Sequence, residues 1–154
     1  MAGFYRREKG EFTLVDGLIL VALMVVVSGT AVPILQTWNH RAKVSATLQS
    51  LRVLRSQIEL YKLEHGGEPP LLYEGGFPQL TSHTNRHGVP GEGGPDFPYG
   101  PYLRMGVPIN PLTNGYIVTP TDVFPPVRVS GNGGWLYHQE SGQIAPDVEG
   151  YLDY

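Results

Sequence analysis

The sequence predicts an α+β protein in which one long N-terminal helix packs on a small antiparallel β-sheet with long Gly/Pro-rich loops. Three observations support this prediction. An apolar run without charged residues extends over Leu18–Leu35, a stripe of apolar residues at helical spacing follows it, and Gly and Pro are frequent in the remainder, Gly67–Tyr154. With 154 residues, the chain has room for one such domain.

The apolar run is long enough to cross a bilayer. Its eighteen residues would rise about 27 Å as a helix, close to the thickness of the hydrocarbon core. Arg6, Arg7 and Lys9 precede the run and favour an N-terminus on the inner side, although two basic residues also follow it. The run therefore predicts either a membrane span or a signal sequence that resembles one.

An amphipathic helix is expected directly after the apolar run. Apolar residues recur at steps of three and four, and good helix formers with polar ends lie between them. The stripe consists of Leu48, Leu51, Leu54, Ile58 and Tyr61. The helix should extend from about Ala42 to Glu64 and end at the glycine pair 66–67. Joined to the apolar run, it would form one helix of roughly 50 residues.

The region after this helix should form a loop-rich fold held by aromatic packing. Gly and Pro are dense there, but eleven aromatic residues argue against disorder. Short strands are predicted over 116–119, 127–129 and 135–139, and the last should form a β-hairpin with 143–145. Phe77–Thr81 should form one helical turn, with Pro78 at its first position.

Composition excludes several classes of function. A net charge of −3 and an isoelectric point near 5.9 give no basic surface for nucleic acid. The absence of cysteine excludes a disulfide framework and a thiolate nucleophile. The chain contains neither a nucleophile elbow nor a phosphate-binding loop. We therefore expect no enzymatic activity, no catalytic residue and no cofactor.

Two groups of residues raise the question of a metal site. His83 and His87 are four residues apart, which would suit a ligand pair on a helix, but their neighbours are typical of a loop. Asp147, Glu149 and Asp153 cluster near the C-terminus, where oxygen ligands would suit calcium. Solvated histidines and a solvated acidic tail are the favoured interpretations, so no metal site is predicted.

The segment Lys9-Gly10-Glu11-Phe12-Thr13-Leu14-Val15-Asp16 resembles the processing site of type IV pilins and type II secretion pseudopilins. In that family a basic leader ends in Gly, and the mature chain opens with Phe-Thr-Leu. An acidic residue follows four positions after the Phe, and a proline follows after twenty-one. Asp16 and Pro33 stand at these two spacings from Phe12. The resemblance extends from Arg6 to about Glu64 and implies a pilin-like fold, similar to that of the major pseudopilins.

The resemblance implies that prepilin peptidase removes a leader of residues 1–11. The processing residues would be Gly10, Glu11 and Phe12, but Glu11 stands where the family has Gly. The peptidase could cut after Gly10, cut slowly after Glu11, or not cut at all.

The same resemblance implies roles for Asp16 and Pro33. Asp16 would pair with the N-terminal amine of a neighbouring subunit and set the assembly register. The alternative is a charge at headgroup level without a role. Pro33 removes a backbone hydrogen bond, so it would kink the helix for packing in a filament. The alternative is an ordinary membrane-helix proline.

By resemblance, then, the chain is expected to be a structural subunit of a type II secretion pseudopilus or a type IV pilus-like filament. Its expected partners are other pilin-like subunits in a homo-oligomeric filament, prepilin peptidase and an inner-membrane assembly platform. It should be a single-pass protein of the bacterial inner membrane, anchored there before assembly. Residues 12–40 would form the membrane half of the helix, and 41–154 would form a head in the periplasm.

A secreted or membrane-anchored periplasmic binding module is the alternative. Gly29-Thr30-Ala31 is an acceptable signal-peptidase site after an apolar stretch. Such a cut would leave a mature chain that starts at Val32. It would also discard Phe12 and Asp16.

Overall fold

The structure is a computed structural model that describes residues 13–154, except for the side chains of 25–38. Helix α1 spans Leu14–Glu64. The chain divides into two compact units, Met1–Asn39 and His40–Tyr154. The second unit holds the core and all strands of the described residues.

The prediction of a membrane span is corrected. Within the described part of the chain, no helix combines the length and the apolar character that a membrane crossing requires. This finding contradicts the predicted span over Leu18–Leu35 and the single-pass inner-membrane localisation with a periplasmic head.

The C-terminal part of α1 buries the predicted stripe. Leu51, Leu54 and Ile58 are 2%, 0% and 0% exposed, and all three belong to the hydrophobic core. The prediction for these residues is confirmed. Fully burying each side chain contributes about 1.5–3 kcal/mol.

Two glycines end α1 at the predicted position. Gly66 has φ +70°, a backbone conformation that residues with a Cβ rarely adopt. The Gly67 N–H donates to the Lys62 carbonyl at 2.7 Å. This 6→1 bond satisfies one of the carbonyls that a helix end leaves free.

A short helix and two small sheets follow. Helix α2 spans Pro78–Thr81, with the proline in its first turn as predicted. Strands β1 (His83–Thr84) and β2 (Pro90–Gly91) pair antiparallel. The second sheet has the order β3-β4-β5, formed by Val118–Pro120, Trp135–His138 and Gln143–Pro146.

The predicted fold class is wrong in two respects. One is the membrane-spanning half of the helix, and the other is the fully antiparallel sheet. The β4–β5 hairpin is antiparallel, with Tyr137 opposite Ile144, but β3 and β4 are parallel. Parallel neighbours need a crossover connection of a dozen or more residues, and the segment 121–134 provides it. The strand predicted over 127–129 does not form, because this segment lies within the crossover.

The core lies between the second sheet, α2 and the buried side of α1. It contains Trp135, Tyr137, Ile144 and Val118 from the sheet and Phe77 and Leu80 from the α2 region. Two of its aromatic side chains also satisfy loop carbonyls. Trp135 Nε1 donates to Pro108 O at 2.8 Å, and the Tyr137 hydroxyl donates to Pro70 O at 2.8 Å. Aromatic packing thus fixes the loops as well as the core.

Candidate functional site

Thr13 and Asp16 cap the N-terminus of α1 through reciprocal hydrogen bonds. The Thr13 N–H and hydroxyl donate to Asp16 Oδ2 at 3.0 and 2.8 Å, and the Asp16 N–H donates to Thr13 Oγ1 at 3.3 Å. This is a capping box with Asp in the acidic position. The backbone hydrogen bond from Thr13, followed by its hydroxyl bond, lowers the pKa of Asp16. The carboxylate also lies favourably at the positive end of the helix dipole.

The helix surface that follows this box is apolar and exposed. Eight large apolar side chains between residues 14 and 24 are exposed, from 47% for Leu20 to 95% for Leu14. They are Leu14, Val15, Leu18, Ile19, Leu20, Val21, Leu23 and Met24. We call these eight residues the N-terminal apolar segment. A contiguous exposed apolar surface of this kind indicates an interaction site, because proteins rarely leave such a surface in contact with water.

The remaining predicted site residues are untested. Gly10, Glu11 and Phe12 lie outside the described residues. Pro33 lies within the bounds of α1, but its side chain is not among those that the structure describes. The helix kink at Pro33 therefore stays a prediction.

The residues considered for a metal form no ligand group in the described part of the chain. Among the described residues, no group of three His, Asp or Glu side chains could hold an ion. His87 is exposed, whereas His83 is half-buried and its Nδ1 has no hydrogen-bond partner in the described part of the chain.

The sequence suggested that Asp147 belongs to a solvated acidic tail, but the structure buries this side chain. It is 3% exposed, and both of its carboxylate oxygens accept hydrogen bonds from Ser130. The bond from the Ser130 N–H measures 2.7 Å, and the bond from its hydroxyl measures 2.5 Å. Asp147 therefore fixes the crossover segment, at Ser130, to the end of β5.

Sequence reasoning also missed Arg55. Its Nε and one terminal nitrogen donate to Ile144 O at 3.2 and 2.9 Å, and the terminal nitrogen also contacts Tyr154 O. Partial burial lowers the pKa of this guanidinium. A signal existed in the sequence, since Arg55 lies one helical turn after Leu51, at the border of the buried stripe.

The buried pair Thr47 and Asn110 was missed as well. The Thr47 hydroxyl donates to Asn110 Oδ1 at 3.0 Å, and Asn110 Nδ2 donates to Gly134 O at 2.9 Å. Both residues are at most 1% exposed, so each polar atom needs such a partner. The pair joins α1 to the loop before β4.

Comparison with known proteins gives one partial similarity. The chain is 30% identical over 61 residues to the prepilin peptidase-dependent protein D of Escherichia coli (strain K12). The matched stretch covers 40% of this chain and 41% of that protein. No protein-family model matches the chain, and no solved structure does either.

Proposed function

We propose that this chain is a structural, pilin-like subunit that is cut by prepilin peptidase and assembles with further copies through the N-terminal apolar segment. The observation that carries the proposal is the exposure of that segment directly after the Thr13–Asp16 box. Association with neighbouring helices would remove this apolar surface from water.

The partial similarity supports the same proposal. The relative's name states that it depends on prepilin peptidase. In this chain, the proposed cut lies at Gly10 or Glu11, just before Phe12. The proposed partners are other pilin-like subunits, the peptidase and an assembly platform. The filament would be a type II secretion pseudopilus or a type IV pilus-like fibre, and we assign no catalytic residue.

Asp16 has a specific part in this proposal. Processing would create a free amine at Glu11 or Phe12, and the Asp16 carboxylate would attract the amine of a neighbouring copy. Thr13 occupies only some of the acceptor positions of this carboxylate, because two oxygens offer about four lone-pair sites. Asp16 can therefore cap its own helix and still accept from a second chain.

Processing gives the most direct test of the peptidase part of the proposal. The full chain is co-expressed with active or inactivated prepilin peptidase, and its intact mass and N-terminal sequence are determined. We expect a peptidase-dependent start at Glu11 or Phe12. A start at Val32, or no change between the two strains, would contradict the proposal.

A substitution at Glu11 sharpens this test. Glu11→Gly restores the residue that the family has before the cut, so it should speed processing. Glu8→Gly is the matched control, because it removes the same charge from the leader without changing the proposed site. Equal rates for the two variants would show that Glu11 does not limit the cut.

A further inference from the structure

The unit His40–Tyr154 carries an open groove with exposed aromatic and apolar walls. Phe77, 1% exposed, contributes its base, while Tyr73, Met105 and Tyr116 are 65%, 100% and 61% exposed at its sides. Its volume is about 520 Å³, within the range of sites that hold a ligand or a peptide segment. We call it the tyrosine groove.

A valine-tipped loop lies at the other end of β3. Residues 121–130, which we call the valine loop, begin the crossover segment, and Val123 and Val127 are 49% and 81% exposed on it. Tyr116 of the groove precedes β3 and Thr121 of the loop follows it. Four residues separate the two, and the three of them that form β3 extend about 10 Å. The loop lies against Thr119 and Leu136 rather than in the groove of its own chain.

The valine loop is fixed at both ends, so its tip is presented in a defined conformation. The Thr121 N–H donates to Tyr137 O at 2.9 Å, and Ser130 donates twice to the buried Asp147. Two prolines, Pro125 and Pro126, restrict the backbone between the valines. A preorganised tip loses little conformational entropy when it docks.

Each of the two surfaces carries or adjoins one acidic and one basic side chain. Glu74 lines the tyrosine groove and Arg104 precedes Met105, whereas Asp122 and Arg128 flank the tip of the valine loop. All four side chains are exposed, and in the described part of the chain none of them has a recorded ion pair or hydrogen bond. These side chains are therefore free to pair with a second copy, Glu74 with Arg128 and Arg104 with Asp122.

We propose that the valine loop of one copy docks into the tyrosine groove of the next. This inference rests on the proposed function and names the contact that the folded units would make in the assembly. Because the two surfaces differ and lie at opposite ends of β3, the contact is head-to-tail and leaves one groove and one loop free at the ends. Such a contact propagates into an open chain of subunits unless its rotation closes a ring.

The experiment uses the absence of native cysteine. Full-length Met105→Cys copies are mixed with Val127→Cys copies and treated with a short thiol cross-linker. Docking should raise the yield of the mixed dimer about tenfold over that of either variant alone, because it raises the effective concentration of the two thiols. The matched control replaces Val127→Cys by Val89→Cys, which is 51% exposed and lies on neither surface.

Charge reversal tests the specificity of the contact. Glu74→Arg should lower the mixed yield, since it places like charges opposite each other. The reversal at Glu74 is made in the Met105→Cys copies, and adding Arg128→Glu to the Val127→Cys copies, which supply the loop, should restore the yield. A mixed yield no higher than that of the Val89→Cys control, equally abundant Met105→Cys homodimers, or no recovery when the loop copies carry Arg128→Glu would each overturn the proposal.

A second thiol position separates failure of this contact from failure of the proposed function. Leu18→Cys lies in the N-terminal apolar segment and reports association of the helices. If Leu18→Cys copies cross-link to each other and the two loop and groove variants do not, the head-to-tail contact is wrong and the proposed function stands. If neither pair cross-links, both proposals are wrong.

Discussion

Asp16 accepts two hydrogen bonds from Thr13, so its carboxylate has a role in α1 before any second copy arrives. The proposed assembly role adds a charge interaction to this local one. The two roles need different properties of the side chain. Capping needs an acceptor oxygen, whereas attraction of an amine needs the negative charge.

Two substitutions at Asp16 should therefore give different results. Asp16→Asn keeps an acceptor for Thr13 and removes the charge, so helix content should stay near wild type while the yield of cross-linked multimers falls. Asp16→Ala removes the acceptor as well as the charge, so it should lower both the helix content and the yield of cross-linked multimers. The measurements are circular dichroism and multimer yield at equal protein levels. Wild-type multimer yield in Asp16→Asn would leave Asp16 with the capping role alone.

Arg55 is the residue that joins α1 to the end of the chain. It donates twice to Ile144 O and also contacts Tyr154 O. The Ile144 carbonyl lies on β5, which has no strand partner on its second side in the described sheet. A positive side chain at this position also discourages pairing of the free edge with another strand.

Arg55→Ala should destabilise the protein by about 1.5–2 kcal/mol, the lower part of the range for charged hydrogen bonds, because the side chain is only half-buried. Arg52→Ala is the matched control, since Arg52 is exposed and has no recorded contact in the described residues. Its effect should stay within about 0.5 kcal/mol. Urea unfolding measures both variants, and equal midpoints would remove the role of Arg55.

At the scale of secondary-structure elements, α1 has a buried side and an exposed side within the second unit. Leu54 is 0% exposed and Leu63 is 81% exposed, although both are leucines in the last three turns of the same helix. The difference follows from position alone, because Leu54 lies on the stripe that faces the sheet and Leu63 does not.

Leu54→Ala should cost about 2–5 kcal/mol of stability, the sum of lost burial and the cavity left behind. Leu63→Ala removes the same atoms from an exposed position and should cost less than about 0.5 kcal/mol. Denaturant unfolding of the two full-length variants measures the difference. Similar unfolding free energies would mean that the stripe does not support the core.

The elements that local patterns specify were predictable from sequence. The stripe of α1, its glycine end, α2 and the β4–β5 hairpin all depend on residues close together in the chain. The parallel pairing of β3 with β4 was not predictable from local patterns, because it joins Val118 to Trp135 across the whole crossover. The valines at 127 and 129 have strand propensity, but their segment connects strands instead of forming one.

The candidate site was predictable only where its residues are adjacent in the chain. Thr13 and Asp16 are three residues apart, and the resemblance pointed to Asp16. The contacts of Arg55 with Ile144 O, and of Asp147 with Ser130, join distant segments. The spacing places Arg55 at the border of the stripe, but it does not identify the partner of either residue. The membrane prediction rested on an eighteen-residue run without charged residues, whereas no helix among the described residues is long and apolar enough for a crossing.

For the molecule as a whole, three buried or half-buried tyrosines make stability sensitive to high pH. Burial is the main cause that raises the pKa values of Tyr61, Tyr102 and Tyr137. Above pH 10, unfolded tyrosines release protons that the folded state still holds, so the unfolded state binds fewer protons. Stability must then fall as pH rises from about 10.

Tyr137→Phe tests this dependence. The variant loses the hydrogen bond to Pro70 O and should be about 1 kcal/mol less stable at neutral pH. Because it has one fewer tyrosine to ionise on unfolding, its stability should decline less steeply above pH 10. Thermal unfolding at neutral pH and at several values above pH 10 measures this. Parallel curves for the variant and wild type would contradict the prediction.

The central claim is that processed copies associate through the N-terminal apolar segment. The most direct measurement is thiol cross-linking of full-length Leu18→Cys in cells with active or inactivated prepilin peptidase, followed by electrophoresis without reduction. Processed copies should give dimers and longer multimers, and cells with the inactivated peptidase should give far fewer at the same protein level. Processed Leu18→Cys that stays monomeric, or multimers that form equally in both strains, would contradict the account.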